Sequence, residues 1–122
     1  MQDDPQNTVE DILKRRRMAQ RAADYCRTLV ERTLAARPEI DAILSATLFR
    51  WKLDRLSYID RAILRMACCE ILHFNDVPST VSINEAVELA KMFGDDRSAQ
   101  FVNGVLDAIA KQHPKPQVSS QQ

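Results

Sequence analysis

The segment from Ile59 to Phe74 constrains the fold more than any other part of this sequence. Its apolar residues are spread over most of the circumference of a helix, and only four charged residues interrupt them before His73. A helix that is apolar nearly all round must be covered on several sides. We therefore predict that this segment is the central helix of its domain.

The rest of the chain also favours helices. Apolar residues recur at helical spacing, and no stretch alternates apolar and polar residues for long enough to form a strand. Pro38 is predicted to lie in the first turn of a helix or at a kink, and Asp95 or Asp96 to cap the last helix. Gly94 is expected in a left-handed C-terminal cap, and Gly104 where another helix backbone approaches closely. These features predict an all-α bundle of about five helices.

The segment before Pro38 allows two arrangements. A short apolar stripe over residues 9–13 is interrupted by the basic run Lys14–Arg17, and a second stripe extends over residues 18–34. Either a boundary lies near residues 14–18, or one long helix turns a charged face to water there.

Composition excludes several classes of function. The chain has 122 residues, which fits one domain. We place that domain at residues 1–112, with disordered tails at 1–6 and 113–122. No apolar run is long enough to span a membrane. Two glycines exclude a Walker loop and a dinucleotide-binding fingerprint.

The potentially reactive side chains do not suggest catalysis. Three cysteines without Cys-x-x-Cys spacing support neither a disulfide framework nor a zinc site, and a reducing cytoplasm is expected. The two histidines have no serine or cysteine partner at a spacing that would activate it. We predict a protein that is not an enzyme and needs no metal or cofactor.

The charge is unevenly distributed. Residues 14–37 carry a net charge of +6, whereas residues 1–13 carry −4 and residues 38–122 carry −2. A basic stretch of this kind is either a binding surface for a polyanion or a solvated helix face. Residues 49–55 alternate basic with aromatic and apolar groups, a combination that binds single-stranded RNA. Trp51 in that stretch could equally belong to the core.

A chain of motifs resembles one known family. In order, these are Trp51–Leu56, Ile59–Ala67, Glu70–Leu72, Asp76–Pro78, Ile83–Lys91, Phe93–Gly94 and Phe101–Asp107. Together they resemble the transcription antitermination factors of the NusB family. The resemblance implies two packed helical subdomains and a role in ribosomal RNA transcription. It also implies pairing with the ribosomal protein NusE, binding of the single-stranded boxA element of nascent RNA, and work without catalysis in the antitermination complex of RNA polymerase.

The resemblance also implies functional positions. The residues it places at the RNA are Arg65, Arg97 and Phe101, with Arg50 and Trp51 as further candidates. It places Asp60 at the NusE partner. From the residues alone, Arg65 could instead form a structural ion pair, and Phe101 could belong to the core.

One departure from the family bears on function. The family's first helix, rich in arginine, has no counterpart in this sequence. The basic run of Lys14, Arg15, Arg16 and Arg17 could take its place at the RNA, although it does not align with that helix. Either Met1 is not the true start of the protein, or the chain is a truncated homologue with weaker RNA binding. Without that helix, apolar residues between 19 and 48 would lack a packing partner, which favours a homodimer or lower stability. The alternative function is a protein-interaction module of the NusB fold that has lost RNA binding.

Overall fold

The computed structural model describes residues 5–48 and 52–116, and side chains from residue 8 onward. This part of the chain has five α-helices and one 3-10 turn, and it has no strand. The elements are α1 (Pro5–Ala35), α2 (Arg37–Thr47), the 3-10 turn (Leu53–Arg55), α3 (Tyr58–His73), α4 (Ser79–Phe93) and α5 (Asp96–Gln112). The predicted all-α fold is confirmed. Of the predicted tails, residues 1–4 and 117–122 lie outside the described residues.

Helix α3 is the central helix, as predicted. It packs against α1, α2, α4 and α5. Its buried residues lie on several sides of the helix: Ile63, Leu64, Ala67, Cys68, Cys69 and Ile71. Ser57 caps its N-terminus, because the side-chain oxygen accepts a hydrogen bond of 3.1 Å from the backbone N–H of Asp60.

Two helical subdomains meet at α3. Helices α3, α4 and α5 form a three-helix unit, and α1 and α2 pack against its central helix. The apolar faces predicted for α2, α4 and α5 are buried at their centres, at Ile40, Leu44, Ile83, Ala86, Ala90, Val102, Val105, Leu106 and Ile109. Pro38 lies in the first turn of α2. Asp95 caps α5, since its Oδ1 accepts from the N–H of Ser98 at 2.8 Å.

Helix α1 runs through the basic run without a break, which decides between the two predicted arrangements. Every residue from 8 to 24 is exposed, and we call this segment the exposed half of α1. Contact with α3 is made from Tyr25, whose hydroxyl donates to Glu70 and whose ring meets that of Phe74 edge-on at 5.7 Å. Arg32 lies 4.5 Å from the centre of the Phe74 ring. The apolar stripe over residues 18–34 therefore becomes part of the core only near its end, where Leu29 is half-buried.

The chain after α5 folds back onto α3. The ammonium of Lys115 donates to the carbonyl oxygens of Glu70 at 3.0 Å, of Phe74 at 2.7 Å, and of Val77. Burial among these groups lowers the pKa of Lys115. Residues 113–116, which we assigned to the C-terminal tail, thus include a side chain tied to the end of the central helix.

The two glycines behave differently from what we expected. Gly94 has a negative φ of −122°, so it is not a left-handed cap. A Cβ atom there would lie 2.9 Å from the carbonyl oxygen of Ala90 and 2.9 Å from the hydroxyl of Ser98. At Gly104 a Cβ would meet nothing within 4 Å, and the residue is exposed. Close approach therefore explains Gly94, and our explanation of Gly104 is wrong.

Candidate nucleic-acid interface

A groove lies between α2 and α3, and residues of the 3-10 turn also line it. Its volume is about 1060 Å³. The lining residues are Arg37, Asp41, Ser45, Leu48, Lys52, Leu53, Asp54, Tyr58, Arg61, Ala62 and Arg65. Four of these side chains are basic and two are acidic, so the groove carries a net charge of +2. We call it the α2–α3 groove.

One face of α3 supplies the α3 side of the groove. Tyr58, Arg61, Ala62 and Arg65 stand at spacings of three, four and seven residues, which places them on one side of a helix. Arg61 is fixed by a hydrogen bond of 3.2 Å to the carbonyl oxygen of Asp54 in the 3-10 turn. Its guanidinium carbon also lies 5.0 Å from the centre of the Tyr58 ring.

Arg65 joins the two walls of the groove. Its Nε and Nη2 donate to the two carboxylate oxygens of Asp41 at 2.8 and 3.1 Å, and only 18% of its side chain is exposed. Arg37, one turn before Asp41, approaches the same carboxylate at 3.5 Å. Two-point pairing between an arginine and a carboxylate is geometrically specific. The structural ion pair considered for Arg65 is present, and the residue nevertheless lies in the basic groove.

Asp60 lies where the starts of α3 and α5 meet. Its Oδ2 accepts from the hydroxyl of Ser98 at a long distance of 3.4 Å. Its Oδ1 is buried and has no hydrogen-bond partner in the described part of the chain. An unsatisfied buried acceptor costs about 1–3 kcal/mol. The carboxylate is therefore only partly satisfied by its own chain.

The two predicted residues of α5 lie on either side of Ser98 in the sequence, and Ser98 is the residue that contacts Asp60. Arg97 precedes Ser98 in the first turn of α5 and is exposed. Phe101, four residues further and on the same side of the helix, is half-buried and packs against the core. The core role considered for Phe101 is thus present, with part of its ring left accessible.

The remaining predicted RNA-binding positions that the structure describes do not lie near the start of α5. Lys14, Arg15, Arg16 and Arg17 are exposed on α1. Eight residues separate Arg17 from Tyr25, where α1 reaches α3, and eight residues of helix correspond to about 12 Å. Arg50 and Trp51 lie outside the described residues. The predictions therefore fall on three described places. These are the basic run on α1, Arg65 in the α2–α3 groove, and the group of Asp60, Arg97 and Phe101 near the starts of α3 and α5.

Sequence reasoning did not assign four groove residues individually to the RNA, namely Arg37, Lys52, Tyr58 and Arg61. Arg37 and Lys52 do belong to the basic segments 14–37 and 49–55 that it singled out. A signal for two of them was available, because Tyr58 and Arg61 share a helical face with Arg65. The contribution of α2 could not be read from the sequence, since it depends on how α2 packs on α3.

The described residues hold neither a metal-binding group nor a membrane-spanning helix. No group of three or more histidine, cysteine or acidic side chains could hold a metal ion. Among the described helices, none has both the length and the apolar character to cross a membrane. The two cysteines of the core are protonated thiols at neutral pH, because burial raises the pKa of Cys68 to about 12 and also raises that of Cys69.

Comparisons with known proteins agree on one family. The family model described as the NusB family matches residues 2–111. The transcription antitermination protein NusB of Listeria monocytogenes serotype 4a (strain HCC23) is 47% identical over 87 residues, which are 71% of this chain and 68% of that protein.

Solved structures agree with the sequence comparisons. The structure of T. maritima NusB is 42% identical, with a TM-score of 0.72 over 76% of this chain and 66% of that one. Antitermination factors NusB and NusE have been solved in complex with double-stranded RNA, and a chain of that complex is 28% identical with a TM-score of 0.71 over 90% of this chain and 82% of its own length. This chain thus spans just under two thirds of the T. maritima structure. The matches to its sequence and its helical bundle place this chain in the NusB family.

Proposed function

We propose that this protein is an antitermination factor that binds boxA-type single-stranded RNA together with the ribosomal protein NusE, within the antitermination complex of RNA polymerase. Its role is to hold these partners together without catalysis. The observation that carries the proposal is the match to the NusB family over residues 2–111. The related complex of NusB, NusE and double-stranded RNA supports both partner classes.

For the RNA, we propose a surface that starts at Arg97 and Phe101 and includes the α2–α3 groove. The exposed guanidinium of Arg97 is available to a phosphate, and the accessible part of the Phe101 ring to a base. Arg65 contributes positive charge from a fixed position, because Asp41 holds its guanidinium. The basic run Lys14–Arg17 is proposed to attract RNA over a longer range, and Arg50 and Trp51 remain predicted contacts.

For NusE, we propose a contact at Asp60. The buried Oδ1 of this carboxylate has no hydrogen-bond partner among the described residues, and the exposed Arg97 neighbours its long contact with Ser98. Asp60 as a whole is half-buried, so a donor from a partner chain could compete for Oδ2, whose own contact with Ser98 is long at 3.4 Å. Asp60→Asn, which removes the charge, should therefore weaken NusE binding while the helical content is retained.

The test is fluorescence anisotropy of a labelled boxA-type RNA with and without purified NusE, repeated over a range of salt concentrations. We expect an affinity that rises when NusE is present and that falls linearly in a plot of log K against log salt. Arg97→Ala should reduce the steepness of that line by about 0.7, the value for one contact to single-stranded nucleic acid. Lys111→Ala is the matched control, because it removes one exposed charge at the other end of α5.

The alternative is a protein-interaction module of the NusB fold that does not bind RNA. Binding of NusE without detectable RNA binding at low salt would establish that alternative and reject the RNA role.

We further propose self-association as a homodimer through α1, whose outer face carries exposed apolar residues such as Ile12, Val30 and Leu34. Sedimentation equilibrium should then show a dimer for the natural protein and a monomer for Ile12→Asp.

A further inference from the structure

Tyr58 is unusual among the large apolar and aromatic side chains of this protein. It is the first residue of α3, and 83% of it is exposed, more than any other exposed large hydrophobic residue described. A ring left in water gains nothing from burial, so packing of the chain itself does not explain an aromatic residue at this position. Its position at the edge of the α2–α3 groove, which it lines, offers another explanation.

Arg61 contacts the ring of Tyr58 from one side. The guanidinium of Arg61 lies 5.0 Å from its centre, which is within the range of a cation–π interaction. Arg61 is itself fixed by the carbonyl oxygen of Asp54. One face of the ring is thus supported by a fixed cation, while the high exposure leaves the opposite face to solvent. This arrangement is an ordered aromatic surface with an adjacent positive charge.

Two basic groups of the groove beside the ring are held less tightly than Arg65. Arg65 is engaged by Asp41 through two hydrogen bonds, whereas Arg37 approaches Asp41 only at 3.5 Å and is 53% exposed. Lys52 is exposed at the 3-10 turn. Arg37 and Lys52 can therefore turn toward a ligand without loss of a buried ion pair, and Arg65 stays with Asp41 as part of the wall.

We propose that the open face of Tyr58 stacks an unpaired base of single-stranded RNA while Arg37 and Lys52 contact the neighbouring phosphates. Proteins hold single strands by this combination of aromatic stacking and a basic groove. A duplex would not fit the arrangement, because its base faces are covered by their neighbours in the stack. This inference rests on the proposed RNA-binding function and names a further part of its site.

The first test compares Tyr58→Ala and Tyr58→Phe in RNA anisotropy with NusE present. Stacking on an aromatic side chain is worth a factor of about 5 to 150 in affinity, so Tyr58→Ala should weaken RNA binding by that range. Tyr58→Phe keeps the ring and should stay within about twofold of the natural protein. Met92→Ala is the control, because Met92 is 70% exposed on α4 and does not line the groove.

Two further readouts separate stacking from a general loss of affinity. A 2-aminopurine placed at successive RNA positions should be quenched at one of them, and Tyr58→Ala should restore its emission while Tyr58→Phe should not. The salt dependence should keep its slope in Tyr58→Ala but become less steep by about 0.7 in Arg37→Ala and in Lys52→Ala.

The outcomes distinguish this inference from the proposed function. If the natural protein binds RNA and Tyr58→Ala binds it with the same affinity, the proposed stacking on Tyr58 is wrong and the proposed RNA-binding function stands. Weaker NusE binding in Tyr58→Ala, with RNA binding unaffected, assigns the ring to the protein partner and also overturns the inference. Absence of RNA binding by the natural protein overturns both.

Discussion

The exposed half of α1 and the central helix α3 both carry apolar residues at helical spacing, but their surroundings are opposite. Ile12 in α1 is 50% exposed, whereas Leu64 in α3 is fully buried. Both residues belong to stripes at helical spacing, so the difference arises from the neighbours that the fold supplies. A helical pattern therefore identifies the face that a helix can bury, and tertiary packing decides whether that face is buried.

The largest effect on the free energy of unfolding is expected when one side chain is shortened to alanine in α3, and the same change in the exposed half of α1 is its comparison. Leu64→Ala should lower the free energy of unfolding by about 2–5 kcal/mol, because it leaves a cavity in the core. At protein concentrations low enough for the monomer to dominate, Ile12→Ala should change it by no more than about 0.5 kcal/mol, since the side chain is then half in water. Urea denaturation followed by circular dichroism measures both. A loss above about 1 kcal/mol for Ile12→Ala would show that the exposed half of α1 is covered in solution.

The two glycines offer a sharper comparison within the three-helix unit. Gly94→Ala should destabilise the protein by about 1–3 kcal/mol, because the new methyl group would collide with the Ala90 carbonyl. Gly104→Ala should stabilise it by about 0.5–1 kcal/mol, since alanine favours the helix and has open space. Thermal unfolding of the two variants beside the natural protein tests the pair. Equal effects would contradict the close approach at Gly94.

The third prediction uses pH to probe the interior of α3. Burial raises the pKa of the Cys68 thiol to about 12 from the usual 9.0. Between these values the unfolded chain releases the proton and the folded chain keeps it, so rising pH favours unfolding. The loss of stability should approach 1.4 kcal/mol per pH unit at most from this residue.

Urea denaturation at pH 8, 9 and 10 measures that loss, and Cys68→Ala should reduce its steepness. Cys26→Ala is the matched control, because Cys26 is exposed on α1. An unchanged steepness in Cys68→Ala would contradict a thiol that stays protonated in the core.

The smallest expected effect concerns the bridge between α2 and α3. A double-mutant cycle with Arg65→Ala and Asp41→Ala should give a coupling energy of about 1 kcal/mol, at the upper end for pairs that keep some solvent exposure. Chemical denaturation of the two single variants and the double variant provides the cycle. A coupling energy near zero would mean that the pair with Asp41 does not stabilise the fold, so that the guanidinium of Arg65 could leave Asp41 to bind RNA.

The fold could be predicted largely from the sequence, for a physical reason that also sets the limit. The periodicity of α3 and α5, the position of Pro38 and the cap at Asp95 are local signals, and each was interpreted correctly. The exposure of α1 and the role of Gly94 depend on which atoms other segments bring close, so the local pattern did not contain them.

The candidate site was less predictable than the fold. Arg65 was named in advance, but its partner Asp41 is 24 residues away and belongs to another helix. Tyr58 and Arg61 were visible as neighbours of Arg65 on one face, whereas Arg37 and Lys52 enter the groove only through the packing of α2 and the 3-10 turn. The groove is a product of two helices meeting, and no single stretch of sequence encodes it.

The hydrogen bonds between Lys115 and the last turn of α3 influence where local unfolding of this protein begins. One ammonium gathers three carbonyl oxygens at the negative end of the α3 dipole, so the last residues described cannot peel away without breaking several hydrogen bonds at once. At the opposite end, every residue of α1 from 8 to 24 is exposed. Fraying should therefore start at the amino end and travel toward Tyr25, while the carboxyl end stays closed until the whole bundle opens.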